Sequence, residues 1–219
     1  MTKTLSLLIA AVVASVTTVS YAQDKGDAKA GEKKIAMCIG CHGIPGYQAS
    51  FPEVYRVPMI SGQSAGFIAS ALNAYKKGER KHPTMRGIAD SLSEQDIADL
   101  AAYYAEHGKT DKTLPEQPSR QPSAKVAELL TKGACVSCHG ANFAKPIDPS
   151  YPKIAGQTAD YLFVALKSYK VENQATWGRS NGVMGGIAKQ FSNAELKEIA
   201  KYVASLDGDL KTVPQNRFR

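Results

Sequence analysis

Apolar residues recur at intervals of three and four in two stretches of this chain, Ile97, Leu100, Ala101 and Tyr104, then Leu196, Ile199, Ala200 and Val203. That period lines them along one face of a helix. Each stretch opens with a serine followed three residues later by an acid, Ser93 with Asp96 and Ser192 with Glu195, the pattern of a capping box. Gly108 and Gly208 are the matching stops, since glycine accepts the left-handed conformation that ends many helices. A middle helix is predicted over 65–77 and again over 159–170, and upstream of each lies a helix opened by an N-cap residue, Asp27 or Ser123. No convincing alternating strand is present. The pattern predicts an all-α chain that uses a three-helix unit twice.

The repetition holds residue by residue, which lets one half assign the other. Pro58-x-Ile60-x-Gly62-Gln63 and Leu72-x-x-Tyr75-Lys76 return as Pro152-x-Ile154-x-Gly156-Gln157 and Leu166-x-x-Tyr169-Lys170, an offset of 94. Met85-Arg86-Gly87-Ile88-Ala89 returns as Met184-Gly185-Gly186-Ile187-Ala188 at an offset of 99, which persists through Tyr103 and Tyr202. Between the copies, 110–122 holds Pro115, Pro118 and Pro122 among polar residues, a composition that favours an extended, semi-stiff linker. The expected domains are 23–109 and 123–209, with a basic tail at 210–219.

The N-terminus sets a compartment. Lys3, an apolar run from Leu5 to Val16 and the small-x-small ending Ser20-Tyr21-Ala22 form a secretory signal expected to be cleaved after about Ala22, leaving a protein expected to be soluble outside the cytoplasm. An uncleaved anchor is the alternative, but the run from Leu5 to Val19 is 15 residues with Ser6, Ser15, Thr17 and Thr18 inside it, short of the roughly 20 a spanning helix needs. The formal net charge of +7 becomes +6 once Lys3 leaves with the signal, too modest an excess to indicate nucleic acid. Lys33-Lys34, Lys76-Lys77, Arg80-Lys81 and the tail are candidates for acidic partners or peripheral contact with an anionic membrane, and otherwise are solvated faces. Half of the 197 remaining residues is a small domain that needs a staple beyond its own core.

The four cysteines supply that staple. They fall in two C-x-x-C-H strings, Cys38-Ile39-Gly40-Cys41-His42 and Cys135-Val136-Ser137-Cys138-His139. Two thiols three positions apart can each bond a vinyl group of one haem, with the following histidine placed to bind the iron. A zinc ribbon would want its cysteine pairs roughly 15–20 residues apart, whereas these begin 97 apart; structural disulfides leave the repeated histidine unexplained. The cofactors expected are two covalently bound haem c groups.

An electron-carrying haem needs a second axial ligand, and methionine thioether is the one that accompanies histidine in such sites. Met37 adjoins an attachment cysteine and cannot reach the opposite haem face, and Met59 aligns with Lys153. Met85 aligns with Met184, 43 residues after His42 in one copy and 45 after His139 in the other. Both are expected in loops ahead of the last helix. His82 competes for the first iron, although its repeat partner is Asn181. His107 is expected at the surface near a helix C-terminus, where a positive charge is tolerated.

The signal, the paired C-x-x-C-H units, the repeated P-x-I-x-G-Q segment and the M-x-x-I-A run make this chain similar to the dihaem cytochrome c4 family over essentially all of its mature length. That resemblance implies two tandem cytochrome c domains related by a pseudo-twofold axis, with haem propionates facing each other. It also implies ligation by His42 and Met85 in one domain and by His139 and Met184 in the other. The implied role is a monomeric periplasmic carrier, not an enzyme, that takes electrons from a quinol-oxidising complex to a terminal oxidase or reductase. The alternatives are the dihaem subunit of a dehydrogenase such as a sulfide-oxidising flavocytochrome, and, further off, a dihaem peroxidase or thiosulfate dehydrogenase. The unequal loops leave open whether the two potentials are equal, and Trp177, in the longer second loop, is a candidate for tuning that haem or the interface, with simple packing as the alternative.

Overall fold

A computed structural model describes residues 26–109, 111 and 113–215. The predicted signal peptide, positions 110 and 112 of the linker and residues 216–219 of the tail lie outside the described residues. The first unit runs α1 (Ala28–Glu32), α2 (Ala36–His42), β1 (Gln48–Ala49), β2 (Tyr55–Arg56), α3 (Ala65–Lys76), β3 (Arg80–Lys81), α4 (Pro83–Asp90) and α5 (Glu94–Glu106). The second runs α6 (Ala124–Lys132), α7 (Val136–His139), α8 (Ala159–Ser168), β4 (Gly178–Arg179), α9 (Gly182–Ala188) and α10 (Asn193–Ala204). The fold is all-α, as the periodicity indicated, because each strand is only two residues long.

The expected N-caps form. The Asp27 side chain accepts from the Lys29 and Ala30 amides, that of Ser123 from Val126, and both predicted capping boxes close, Ser93 with Asp96 and Ser192 with Glu195. Two expectations are corrected. The methionine segments are short helices instead of loops, because the His82 ring accepts the Met85 amide, the Asn181 side chain accepts the Met184 amide, and Pro83 pre-sets the first turn. Helix α10 stops at Ala204, before Gly208, because the Ser205 hydroxyl donates to Tyr202 O at 2.7 Å and supplies the stop itself.

Helices α1 and α3 pack on α5, and α6 and α8 on α10. Ile35, Ile39, Ile97, Leu100 and Tyr104 form one core, and Leu130, Phe143, Leu196, Ala200 and Val203 the other. Asp99, only 2% exposed, ties the first unit together. Its carboxylate accepts from the Asp27 amide at 2.8 Å, from Lys34 Nζ at 2.6 Å and from Gln95 Nε2 at 2.8 Å, locking the segment that leads into α2 onto α5.

The linker and the tail are straps. Leu114 is buried in the second core, the Pro115 carbonyl accepts from Asn142, and the Arg120 carbonyl accepts from the Tyr202 hydroxyl. The tail turns back on the first unit over its described length. Leu210 is buried, the Lys211 amide donates to Ser61 O, and Gln215 reaches the ring of His107. His107 is accordingly half-buried and not on the open surface. It stacks on Tyr103, and burial drives its pKa below the ordinary histidine value.

Candidate functional site

Helix α2 brings Cys38, Cys41 and His42 to one face, because residues three and four apart are neighbours on a helix. In the second unit Cys135 is the N-cap of α7, and Cys138 and His139 follow within it. None of the four cysteines is paired in a disulfide. Behind each histidine stands the proline of the repeated segment. His42 Nδ1 lies 2.8 Å from the Pro58 carbonyl and His139 Nδ1 lies 3.1 Å from the Pro152 carbonyl. A carbonyl only accepts, so Nδ1 carries the proton and Nε2 keeps the free lone pair that a metal requires. Burial pushes both histidines below their ordinary pKa, against the pull of those carbonyls, and so favours the neutral ring.

A continuous cavity of about 1130 Å³ runs through both units, and Cys38, Cys41, His42, Met85, Cys135, Cys138, His139 and Met184 all line it. One small-molecule site takes about 300–1,000 Å³. Of the competing side chains, Met37 is 51% exposed, outside the cavity lining. His82 does line the cavity, but Nε2 shares a hydrogen bond of 3.1 Å with the Tyr55 hydroxyl and Nδ1 accepts from the Met85 amide. Trp177 is half-buried beside β4 and absent from the cavity lining.

The structure adds residues that the sequence reading passed over. Arg80, read there as part of a basic surface, pairs with Arg179 across β3 and β4, the antiparallel ladder that joins the two units. The two are equivalent at the offset of 99 that also matches the methionines. Antiparallel pairing of equivalent residues is what a local two-fold axis requires. Each guanidinium lies over two rings, Arg80 over Phe67 and Tyr75, Arg179 over Tyr161 and Tyr169, and both donate to the Tyr161 hydroxyl. Among the described residues no carboxylate pairs with either arginine, and Arg80 Nε is buried without a partner. Half-buried cations without a carboxylate partner are costly. Two of them beside a large cavity with paired thiols and neutral histidines fit a bulky apolar group that carries carboxylates, as haem does.

Comparison with known proteins agrees with this chemistry. The family model described as "Cytochrome c" matches twice, over residues 28–106 and 123–207. Cytochrome c4 of Azotobacter vinelandii is 32% identical over 195 residues, covering 83% of this chain and 90% of that protein. A thiosulfate dehydrogenase electron acceptor of Stutzerimonas stutzeri is 28% identical over 206 residues, covering 90% and 92%. The crystal structure of reduced recombinant cytochrome c4 from Pseudomonas stutzeri superposes with a TM-score of 0.62 at 28% identity, covering 83% of this chain and all of that one. With two matched units and two haem c groups bound covalently, the chain belongs to the cytochrome c family, among the dihaem cytochromes c4.

Proposed function

We propose that this dihaem electron-transfer cytochrome works in the periplasm as a carrier between a quinol-oxidising complex and a terminal oxidase or reductase, with His42 and Met85 as axial ligands of one iron and His139 and Met184 of the other. Each haem, when bound, supplies a one-electron Fe(III)/Fe(II) couple. Cys38 and Cys41, and Cys135 and Cys138, anchor the two groups as thioethers. The Pro58 and Pro152 carbonyls aim the histidines, and the caps at His82 and Asn181 hold the methionine helices in place. The observation that carries this reading is that repeat-equivalent histidines and methionines line a single cavity shared by both units. Two saturated irons whose ligands persist on reduction need little rearrangement, and this favours electron passage over catalysis.

A second reading takes its support from the thiosulfate dehydrogenase electron acceptor, similar over nearly its whole length: the physiological donor is a dehydrogenase, and a flavocytochrome is another of that kind. Reduction of the purified holoprotein by membranes plus quinol, against reduction by thiosulfate or sulfide with the corresponding dehydrogenase, separates the two. Fast reduction only in the second assay overturns the quinol assignment.

A further inference from the structure

The glutamines that end the repeated segments cross between the units. Gln157, in the second unit, holds Met59 of the first at both ends: the Met59 amide donates to Gln157 Oε1 at 3.1 Å, and Gln157 Nε2 donates to the Met59 carbonyl at 2.9 Å. Gln63 does the same in return, accepting from the Lys153 amide at 2.9 Å and donating to the Lys153 carbonyl at 2.9 Å. Both glutamines are only 4% exposed. The oxygen end of each carboxamide is assigned by a second donor, the Thr158 amide for Gln157 and the Ser64 amide for Gln63, both at 3.0 Å. The glycine before each glutamine has a left-handed backbone, with φ of 84° at Gly62 and 73° at Gly156, and turns the chain sharply into the crossing.

The held amides are the other ends of the peptides that orient the axial histidines. Pro58 C=O, which accepts from His42, and Met59 N–H, which donates to Gln157, belong to one peptide group; Pro152 C=O and Lys153 N–H form the equivalent group for His139 and Gln63. Hydrogen bonds in series polarise one another. An acceptor on the N–H makes the carbonyl more negative, which strengthens its grip on the imidazole Nδ1–H and makes Nε2 a stronger donor to iron. We infer that Gln157 and Gln63 are crossed positioning residues: each reaches from its own unit to tune the axial histidine, and so the reduction potential, of the opposite unit. The inference rests on the assignment of His42 and His139 as iron ligands. It makes the docking of the two units part of the potential of each haem.

A stronger histidine donor favours ferric iron, so losing the glutamine raises the potential. Cooperative strengthening of a tenth to a third per bond corresponds to about a threefold change in the oxidised-to-reduced ratio, or about 28 mV at 59 mV per decade for one electron. The test is potentiometric titration of holoprotein carrying Gln157→Leu or Gln63→Leu, with the haems told apart by a companion Met184→His, which lowers the second potential because imidazole favours ferric iron over thioether ligation. Gln157→Leu is expected to raise the first haem alone, and Gln63→Leu the second alone. A clasp that only glues the units would shift both haems or neither, and either result, or a shift confined to the substituted unit, overturns the inference. If one variant does not assemble, its mirror carries the same crossed expectation. Absence of methionine-ligated spectra in the unsubstituted protein, or no effect of Met184→His, overturns the ligand assignment instead.

Discussion

Asp99→Asn removes a buried charge from the junction of α1 and α5 while preserving its shape. Three donors converge on that carboxylate, the Asp27 amide, Lys34 Nζ and Gln95 Nε2. The Asp27 amide and Gln95 both donate to Oδ1 and Lys34 to Oδ2, so an asparagine that keeps its oxygen at Oδ1 turns an N–H towards Lys34. The bond from Lys34 to the buried carboxylate is lost outright, a charge-assisted hydrogen bond worth about 1.5–3 kcal/mol, so about 2 kcal/mol is expected for the first unit. At about 4–8 °C per kcal/mol for a unit of this size, melting falls by about 8–16 °C. The pH dependence is specific. The hydrogen bond from Lys34, then that from the Asp27 amide, hold the Asp99 carboxyl below its usual pKa. A carboxylate with a depressed folded pKa stabilises fully above its unfolded value of about 3.9 and ceases to do so as pH falls through the folded value. The deficit of Asp99→Asn is therefore full near neutrality and shrinks below about pH 4. Calorimetric melts of the holoprotein between pH 3 and 7 measure it, with Glu198→Gln at the equivalent, exposed position of the second unit as control, expected within about 0.5 kcal/mol of the unsubstituted protein. Unchanged melting of Asp99→Asn at neutrality, or a deficit that persists undiminished into acid, would refute the latch.

Met85→Ala and Met184→Ala are each expected to lower the potential of one haem and to abolish half of the optical band due to methionine on ferric iron, measured by spectroelectrochemistry. Gly140→Ala places a Cβ 2.0 Å from the Lys145 carbonyl at a residue with φ of 80°, directly after His139. A cost above about 2 kcal/mol is expected, with mass spectra showing chains that lack the second haem. Arg80→Gln removes a cation beside the cavity and is expected to lower at least one potential, since less positive charge favours ferric iron; equal titrations of variant and unsubstituted protein would count against a role for the pair.

The covalent chemistry was legible because it is local. Cys38 to His42 and Cys135 to His139 state their purpose within five residues each, and the repeat offset then singled out Met85 and Met184. The capping serines and the faces of α5 and α10 were legible for the same reason, since a helix writes its period into neighbouring positions. What eluded the sequence depends on contacts between distant parts. Arg80 reads as a surface cation beside Lys81, until its strand pairs with that of Arg179 and its guanidinium lies over Phe67 and Tyr75. His107 reads as a helix-end charge until the tail returns over it. The methionine helices are only eight and seven residues long, too short for the Met-x-x-Ile-Ala spacing to declare a helix, so their caps, a histidine ring and an asparagine, form them without an obvious signal. Gln63 and Gln157 stood in plain view inside the repeated segment, but their partners lie 90 and 98 residues away.

The most direct test of two saturated, histidine- and methionine-ligated irons in one chain is a potentiometric titration of the purified holoprotein followed by optical and magnetic spectra. The expected result is two one-electron steps, each from a low-spin ferric iron that shows the methionine band. A high-spin iron, a bis-histidine spectrum or a single step with one haem per chain would contradict it.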